Sequence, residues 1–351
     1  MKKIIFIVFA LMFACNIAFA ATSSGHLFIP VSDPSVFGSV PTDAQVFSFD
    51  LSSSSLLTNP TYISTHDPFG DSQSTKSNAV ADNKGNVYFY FGGASTSGGE
   101  NLIHGFNSLK GESSMTTFSP IYTNNGRVES FNPESPIELA YYKDQLYLLG
   151  TDHQDNPHIW IYSQADFQLN GQFQHPKAVQ ELKLQTPEGA NPKYINAITI
   201  DSSGQIYLAF ANKTDDGGDI IAKYAPGQEQ ASTLYYLPSQ QNQYVSHIAI
   251  YDDQVYVTTF VYDCSRIYKL IPGEIAKQIN LPNLADISQI DDISFDGLGN
   301  TFVIYCNNDF LVEVDMYIGV PVDGKTPIAT YAIPGYPKKP SNATSLVWSQ
   351  K

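Results

Sequence analysis

Apolar and polar residues alternate in short runs along most of this chain, and the runs come in pairs joined by a tight polar turn. Clear copies are Ala79-Val80-Ala81-Asp82-Asn83-Lys84-Gly85-Asn86-Val87-Tyr88 and Ile198-Thr199-Ile200-Asp201-Ser202-Ser203-Gly204-Gln205-Ile206-Tyr207. A third runs from Ile293 through Asp296 and Gly299 to Phe302. Two copies shorten the turn, Tyr141-Tyr142-Lys143-Asp144-Gln145-Leu146-Tyr147 and Ile250-Tyr251-Asp252-Asp253-Gln254-Val255-Tyr256. A period of two with turn residues between the runs predicts antiparallel hairpins. Asp at the first turn position accepts backbone N–H bonds, and Gly tolerates the positive φ that closes the turn.

The anchors Tyr88, Tyr147, Tyr207, Tyr256 and Phe302 lie 59, 60, 49 and 46 residues apart. Two further strands follow each anchor, for example Ile159–Tyr162 then Leu169–Phe173, and Ile220–Tyr224 then Ser232–Tyr236. That interval fits four-stranded propeller blades with loop insertions. The expectation is an all-β, six-bladed β-propeller of four-stranded antiparallel blades. Five complete blades fall at about 76–120, 136–180, 195–238, 245–283 and 290–334. The closing blade would join N-terminal strands at about 26–64 to a C-terminal strand at 344–349, since an open ring leaves an unpaired edge.

The turn Asp82 to Tyr88, with Asp296 to Phe302 close behind, resembles the repeat of NHL-type propellers and of the gluconolactonase (senescence-marker) class. The likeness covers five repeats and implies the architecture. Fold relatives include binding modules, lactone hydrolases and lyases, so function has to come from the site.

Residues 1–20 read as a signal peptide: Lys2 and Lys3, an apolar run from Ile4 to Phe13, then Ala18-Phe19-Ala20. Cleavage there leaves one domain, 21–351, without a further segment long enough to span a bilayer, which points to a secreted or periplasmic protein without integral membrane association. The formal charge is −15. Losing Lys2 and Lys3 makes it −17, which speaks against nucleic acid as a partner. A small molecule, a carbohydrate or a protein fits better. Cys264 and Cys306 would remain, and in an exported protein two cysteines most often pair. A free, buried pair is the alternative.

Aligning the blades on their turns puts Asn78, Glu138, Ala197, His247 and Asp292 at one level of the innermost strands, with Asn196 and Asp291 one step before. Such side chains face a central channel. Lactone hydrolases of the resembled class hold a divalent cation there with carboxylate and Asn ligands. The resemblance therefore implies Asn78, Glu138 and Asp292, with Asn196 or His247, as metal ligands, calcium suiting the oxygen donors best. Asp291 or Asp292 would take the proton in a metal-dependent hydrolysis of small lactones or esters. The competing reading is that these polar groups only solvate a wet channel, and the protein is a binding module or an interaction scaffold. Tyr141, Tyr142, Trp160 and Tyr251 either form a sugar-stacking surface or pack between blades.

Overall fold

The computed structural model describes residues 25–32, 43–51, 61–66, 76–92 except 83, 102–131 except 111–113 and 125, 137–333 except 155, 215–217, 240–243, 261–264, 286, 288 and 309–310, and 347–350. The expected signal peptide lies outside them. No helix among them is long and apolar enough to cross a membrane.

Strands β1 (Gly25–Ser32), β2 (Asp43–Asp50) and β3 (Thr61–His66) come first. Blade I follows as β4 (Lys76–Ala81), β5 (Asn86–Gly92), β6 (Ile103–Asn107) and β7 (Thr116–Phe118). A separate hairpin, β8 (Ile121–Asn124) and β9 (Arg127–Ser130), leads into blade II: β10 (Glu138–Tyr142), β11 (Gln145–Thr151), β12 (Pro157–Ser163) and β13 (Gln180–Leu182). Blade III is β14 (Ala190–Ile200), β15 (Ile206–Asn212), β16 (Ile220–Tyr224) and β17 (Ala231–Tyr236). Blade IV is β18 (Tyr244–Tyr251), β19 (Gln254–Phe260), β20 (Arg266–Lys269) and β21 (Lys277–Ile279). Blade V is β22 (Gln289–Phe295), β23 (Thr301–Cys306), β24 (Val312–Tyr317) and β25 (Ala329–Ala332). Each of these five sheets is antiparallel and runs in chain order.

The last strand, β26 (Val347–Gln350), pairs with β1 from Gly25↔Gln350 to Phe28↔Val347, so the chain ends form a further four-stranded sheet, β26-β1-β2-β3. The expected six-bladed ring with one blade closed by the N- and C-terminal strands is corrected to a propeller of five blades. The repeat with its turn accounts for five blades. The sheet of the chain ends is a composite without that turn, because its first two strands lie at opposite ends of the chain and are held together by four residue pairs.

Burial explains why the sheets stack. Between blades I and II, Tyr90, Phe118, Leu139, Leu148 and Trp160 share one core layer, and between III and IV, Ala209, Ile221, Val245 and Val257 share another. The composite sheet packs on both sides, Leu27, Ile29 and Phe49 against Phe302 and Val314, and Phe28 and Val46 against Val87 and Phe106. Each large aliphatic or phenylalanine side chain so covered contributes about 1.5–3 kcal/mol.

The turns work as their composition requires. Asp82 Oδ1 accepts the N–H groups of Lys84 and Asn86, both at 2.8 Å, and Asp296 Oδ1 those of Leu298 and Asn300 at 2.9 and 2.8 Å. Gly204 (φ +86°) and Gly299 (φ +81°) need their missing Cβ for a second reason. A Cβ would lie 2.7 Å from the Tyr142 ring at Gly204 and 2.5 Å from the Tyr251 ring at Gly299. Tyr142 and Tyr251 are thus lids on the next blade's turn, and Trp160 is buried in a stack on Tyr122 with ring centroids 4.0 Å apart.

One strand assignment is also corrected. The fourth strand of blade II is β13, not Leu169–Phe173. The chain after β12 instead reaches back over blade I: the Leu169 side chain sits over Gly105, and Gln174 exchanges backbone hydrogen bonds with Thr117 and Ser119. The same device joins blade IV to blade III, where Gly273 and Ala276 donate to Leu234 and Tyr236 carbonyls at 3.1 and 2.8 Å. Segments ahead of a fourth strand thereby cover the outer edge of the blade before.

The two short turns place Lys143, Asp144, Asp252 and Asp253 at φ between 46° and 59°, left-handed backbone that glycine adopts without steric cost. Asp253→Gly should raise stability by about 0.5–1 kcal/mol, read as a higher thermal midpoint. An unchanged or lower midpoint would show that the turn stores no such strain.

Candidate functional site

The innermost strands β4, β10, β14, β18 and β22 bring the expected ligand residues to adjoining blades, where they engage in pairs. Asn78 Nδ2 donates to Glu138 Oε2 at 3.0 Å, and Asn78 Oδ1 accepts the Leu139 N–H at 2.8 Å. All of this is buried and ties blade I to blade II. His247 Nε2 lies 3.1 Å from Asp292 Oδ1, which also accepts the Ile293 N–H, and this pair ties blade IV to blade V. Asn196 donates to Asp219 Oδ2 at 3.0 Å, and the same oxygen accepts the Val245 N–H at 2.7 Å, joining III to IV. Each of these pairs spans two neighbouring blades. Among the described residues no group of three or more His, Cys, Asp or Glu side chains is placed to hold a metal ion.

The alignment on turns misses a second feature. In β14 the pairing steps from Ile195↔Phe210 to Ala197↔Ala209, leaving Asn196 as an extra residue. Strand β18 does the same around Ser246, and β22 around Asp291. Three successive innermost strands thus bulge at one level, whereas β4 keeps unbroken register with β5. A bulge re-aims side chains and twists the strand, and bulges gather beside functional sites. Here they follow an exposed aromatic pair: Tyr194 and Tyr244, each three residues ahead of the level of Ala197 and His247, are 60% and 44% exposed. Tyr244 opens β18, and Tyr194 stands in β14 just before its regular pairing with β15 resumes at Ile195.

Two buried carboxyl groups accompany the bulges: Asp219, bonded to Asn196, and Asp291, the extra residue of β22. Burial lifts Asp219 to about 6, against the opposing pull of its bonds from Val245 and Asn196. Burial lifts Asp291 to about 7, with Gln289 Nε2 donating to it at 2.6 Å. Asp219 ends the acidic run 215–219, of which 215–217 lie outside the described residues; no periodicity marked it. Cys306 carries a buried free thiol, raised by burial to about 11, and Cys264 lies outside the described residues.

Two other polar assemblies lie away from the channel. His158, stacked on Trp160, contacts Glu181 through Nδ1 at 2.6 Å and Asp152 through Nε2 at 3.2 Å. At the turn end of blades I and II, a cleft of about 490 Å³ opens between Lys84, Asn107, Asp144 and Phe167. Its lysine and aspartate join across the two blades, Lys84 Nζ to Asp144 Oδ1 at 2.6 Å.

No family model matches the chain, and no curated protein matches it. Among solved structures, a chain of a nidogen/laminin complex is 12% identical, with 93% of this chain and 98% of that one covered and a TM-score of 0.50. Aleuria aurantia lectin in complex with α-methyl-L-fucoside is 12% identical over 88% and 99%, at a TM-score of 0.46. A prolyl endopeptidase is 13% identical at a TM-score of 0.40, and the match covers 90% of this chain but 43% of that one. At such identities the likeness concerns the fold alone. The resemblance to NHL-type and gluconolactonase propellers is corrected accordingly to a propeller fold with no family assigned. An Asp that caps two N–H groups ahead of a positive-φ Gly solves a general hairpin problem and does not mark descent.

The raised carboxyls give a pH dependence of stability. A folded-state pKa above the unfolded value of about 3.9 means the native state holds the proton more tightly. The stabilisation is full below about pH 4 and lost as pH rises through 6 for Asp219 and 7 for Asp291. Asp291→Asn should narrow the drop in thermal midpoint between pH 5 and pH 8. An equal drop in the variant would mean Asp291 titrates normally.

Proposed function

We propose that the protein is an exported binding module that takes a carbohydrate at the strand-entrance mouth of the ring. The observation that carries this reading is the repeated bulge in β14, β18 and β22 beside the exposed pair Tyr194 and Tyr244. Tyrosine offers a flat apolar face to a sugar ring and a hydroxyl to its rim, at low entropic cost. His247 and the Asn196 amide lie at the adjoining level and can meet hydroxyl groups. Rigid sheet strands carry all of them, so little ordering is needed on binding. On a panel of immobilised glycans the protein should retain a subset, and Tyr194→Ala or Tyr244→Ala should weaken that binding tenfold or more with the thermal midpoint unchanged. Full retention by the double variant would sink the assignment.

A second reading, metal-dependent hydrolysis of a small lactone or ester, is favoured by Asp291 at the β22 bulge, which Gln289 Nε2 meets at 2.6 Å and burial pushes up to about 7, as a general base at neutral pH. Turnover of a lactone panel that rises through pH 7 and disappears in Asp291→Asn would establish it. Absence of turnover across the panel removes it.

A further inference from the structure

We propose that His158 is a proton-sensitive clasp, which holds the short edge strand β13 in place while its ring is protonated and loosens it when the proton leaves. The clasp does not depend on the reading of the mouth.

Each ring nitrogen meets a carboxylate. Nδ1 lies 2.6 Å from Glu181 Oε1 on β13, and Nε2 lies 3.2 Å from Asp152 Oδ2 in the turn between β11 and β12. A neutral imidazole has one N–H and one lone pair, so it donates to one of these carboxylates and turns a lone pair on the other. Only the imidazolium satisfies both. The ring is kept in this position by its stack on Trp160, with centroids 4.8 Å apart.

The two carboxylates are not equally fixed. Asp152 is buried and accepts the N–H groups of Gln154 and Asn156 at 2.8 and 2.9 Å as well as the Asn156 carboxamide. Burial alone would raise its carboxyl, but the bonds from Asn156, Gln154 and His158 outweigh that and hold it below the ordinary value. Glu181 has a side chain 37% exposed, and its side-chain partner among the described residues is His158. Lys177 and Lys183, the nearest lysines in sequence, are exposed. From the β8–β9 hairpin, Tyr122 stacks on Trp160, and burial raises its hydroxyl so far that it keeps its proton, with Glu129 and Asp152 adding to the effect. When His158 loses its proton, the carboxylate that can move away is Glu181.

What Glu181 holds is short. Strand β13 pairs with β12 at three positions, from Ile159↔Leu182 to Ile161↔Gln180. It continues directly from the segment that covers blade I, where the Ala178 N–H donates to the Ile121 carbonyl at 2.9 Å. One strap thus serves two blades, and Glu181 fixes its end.

Amide hydrogen exchange of the full chain, corrected for the intrinsic effect of pH, reads the clasp in peptides that cover 177–183. Protection there should fall several-fold between about pH 5 and about pH 8, the interval in which imidazole side chains change charge. The control is β21, the three-residue fourth strand of blade IV, which contains no histidine. In His158→Gln, which has no proton to lose, the fall should shrink to that seen at β21. Glu181→Gln, a change at an exposed side chain, should do the same. No fall in the parent chain beyond that of β21 would overturn the proposal, and so would a fall that persists in both variants.

Discussion

Everything in this molecule follows from one constraint: a four-stranded sheet with apolar side chains on both faces has to be covered on both faces. In strands such as β11 and β23 nearly every residue is buried, so neither face can meet water. Stacking each sheet on the next meets that need for all of them at once, and the twist of the strands turns the stack about an axis. Innermost strands come together around that axis, and turns collect at its two ends.

Stacked faces share no backbone ladder, which leaves the joints between blades to side chains and to crossing segments. Near the axis the joints are polar and buried: Asn78 with Glu138, Asp219 with the Val245 amide, His247 with Asp292. At the rim they are backbone bonds from a neighbour's loop, as at Gln174 and Ala276. A buried polar group costs free energy unless matched, so each such bridge fixes the relative placement of two blades more than it adds net stability. Asp219 and Asp291 show the residual cost in their raised pKa values.

Within the expected ligand set, this division shows as pairs across neighbouring blades, Asn78 with Glu138 and His247 with Asp292. Side chains at one level of a propeller all point toward a common axis only when every strand keeps the same register. Bulges at Asn196, Ser246 and Asp291 break that equivalence between one part of the ring and the rest. The same bulges distinguish the mouth over blades III to V, while an exposed pair, Lys84 with Asp144, joins the turns of blades I and II.

Period-two alternation and the Asp-to-Gly turns were enough to place hairpins, blade intervals and the N–H-accepting role of Asp82 and Asp296, because those contacts span only a few residues. Local chemistry also marked Tyr142 and Tyr251 as residues with two readings, without deciding between them. Tertiary structure decided what no local pattern encodes: that those tyrosines cover Gly204 and Gly299 of the next blade, that residues 169–176 serve blade I before β13 forms, and that Asn78 meets Glu138 sixty residues away. It also decided the bulges, since one extra residue in a strand leaves the alternation readable while turning the side chains that follow. Sequence by itself determined the hairpins and their turns, where the interactions are short in range, but not which segment pairs as the fourth strand of blade II. The site depended on register between strands, and register is set only when whole faces pack.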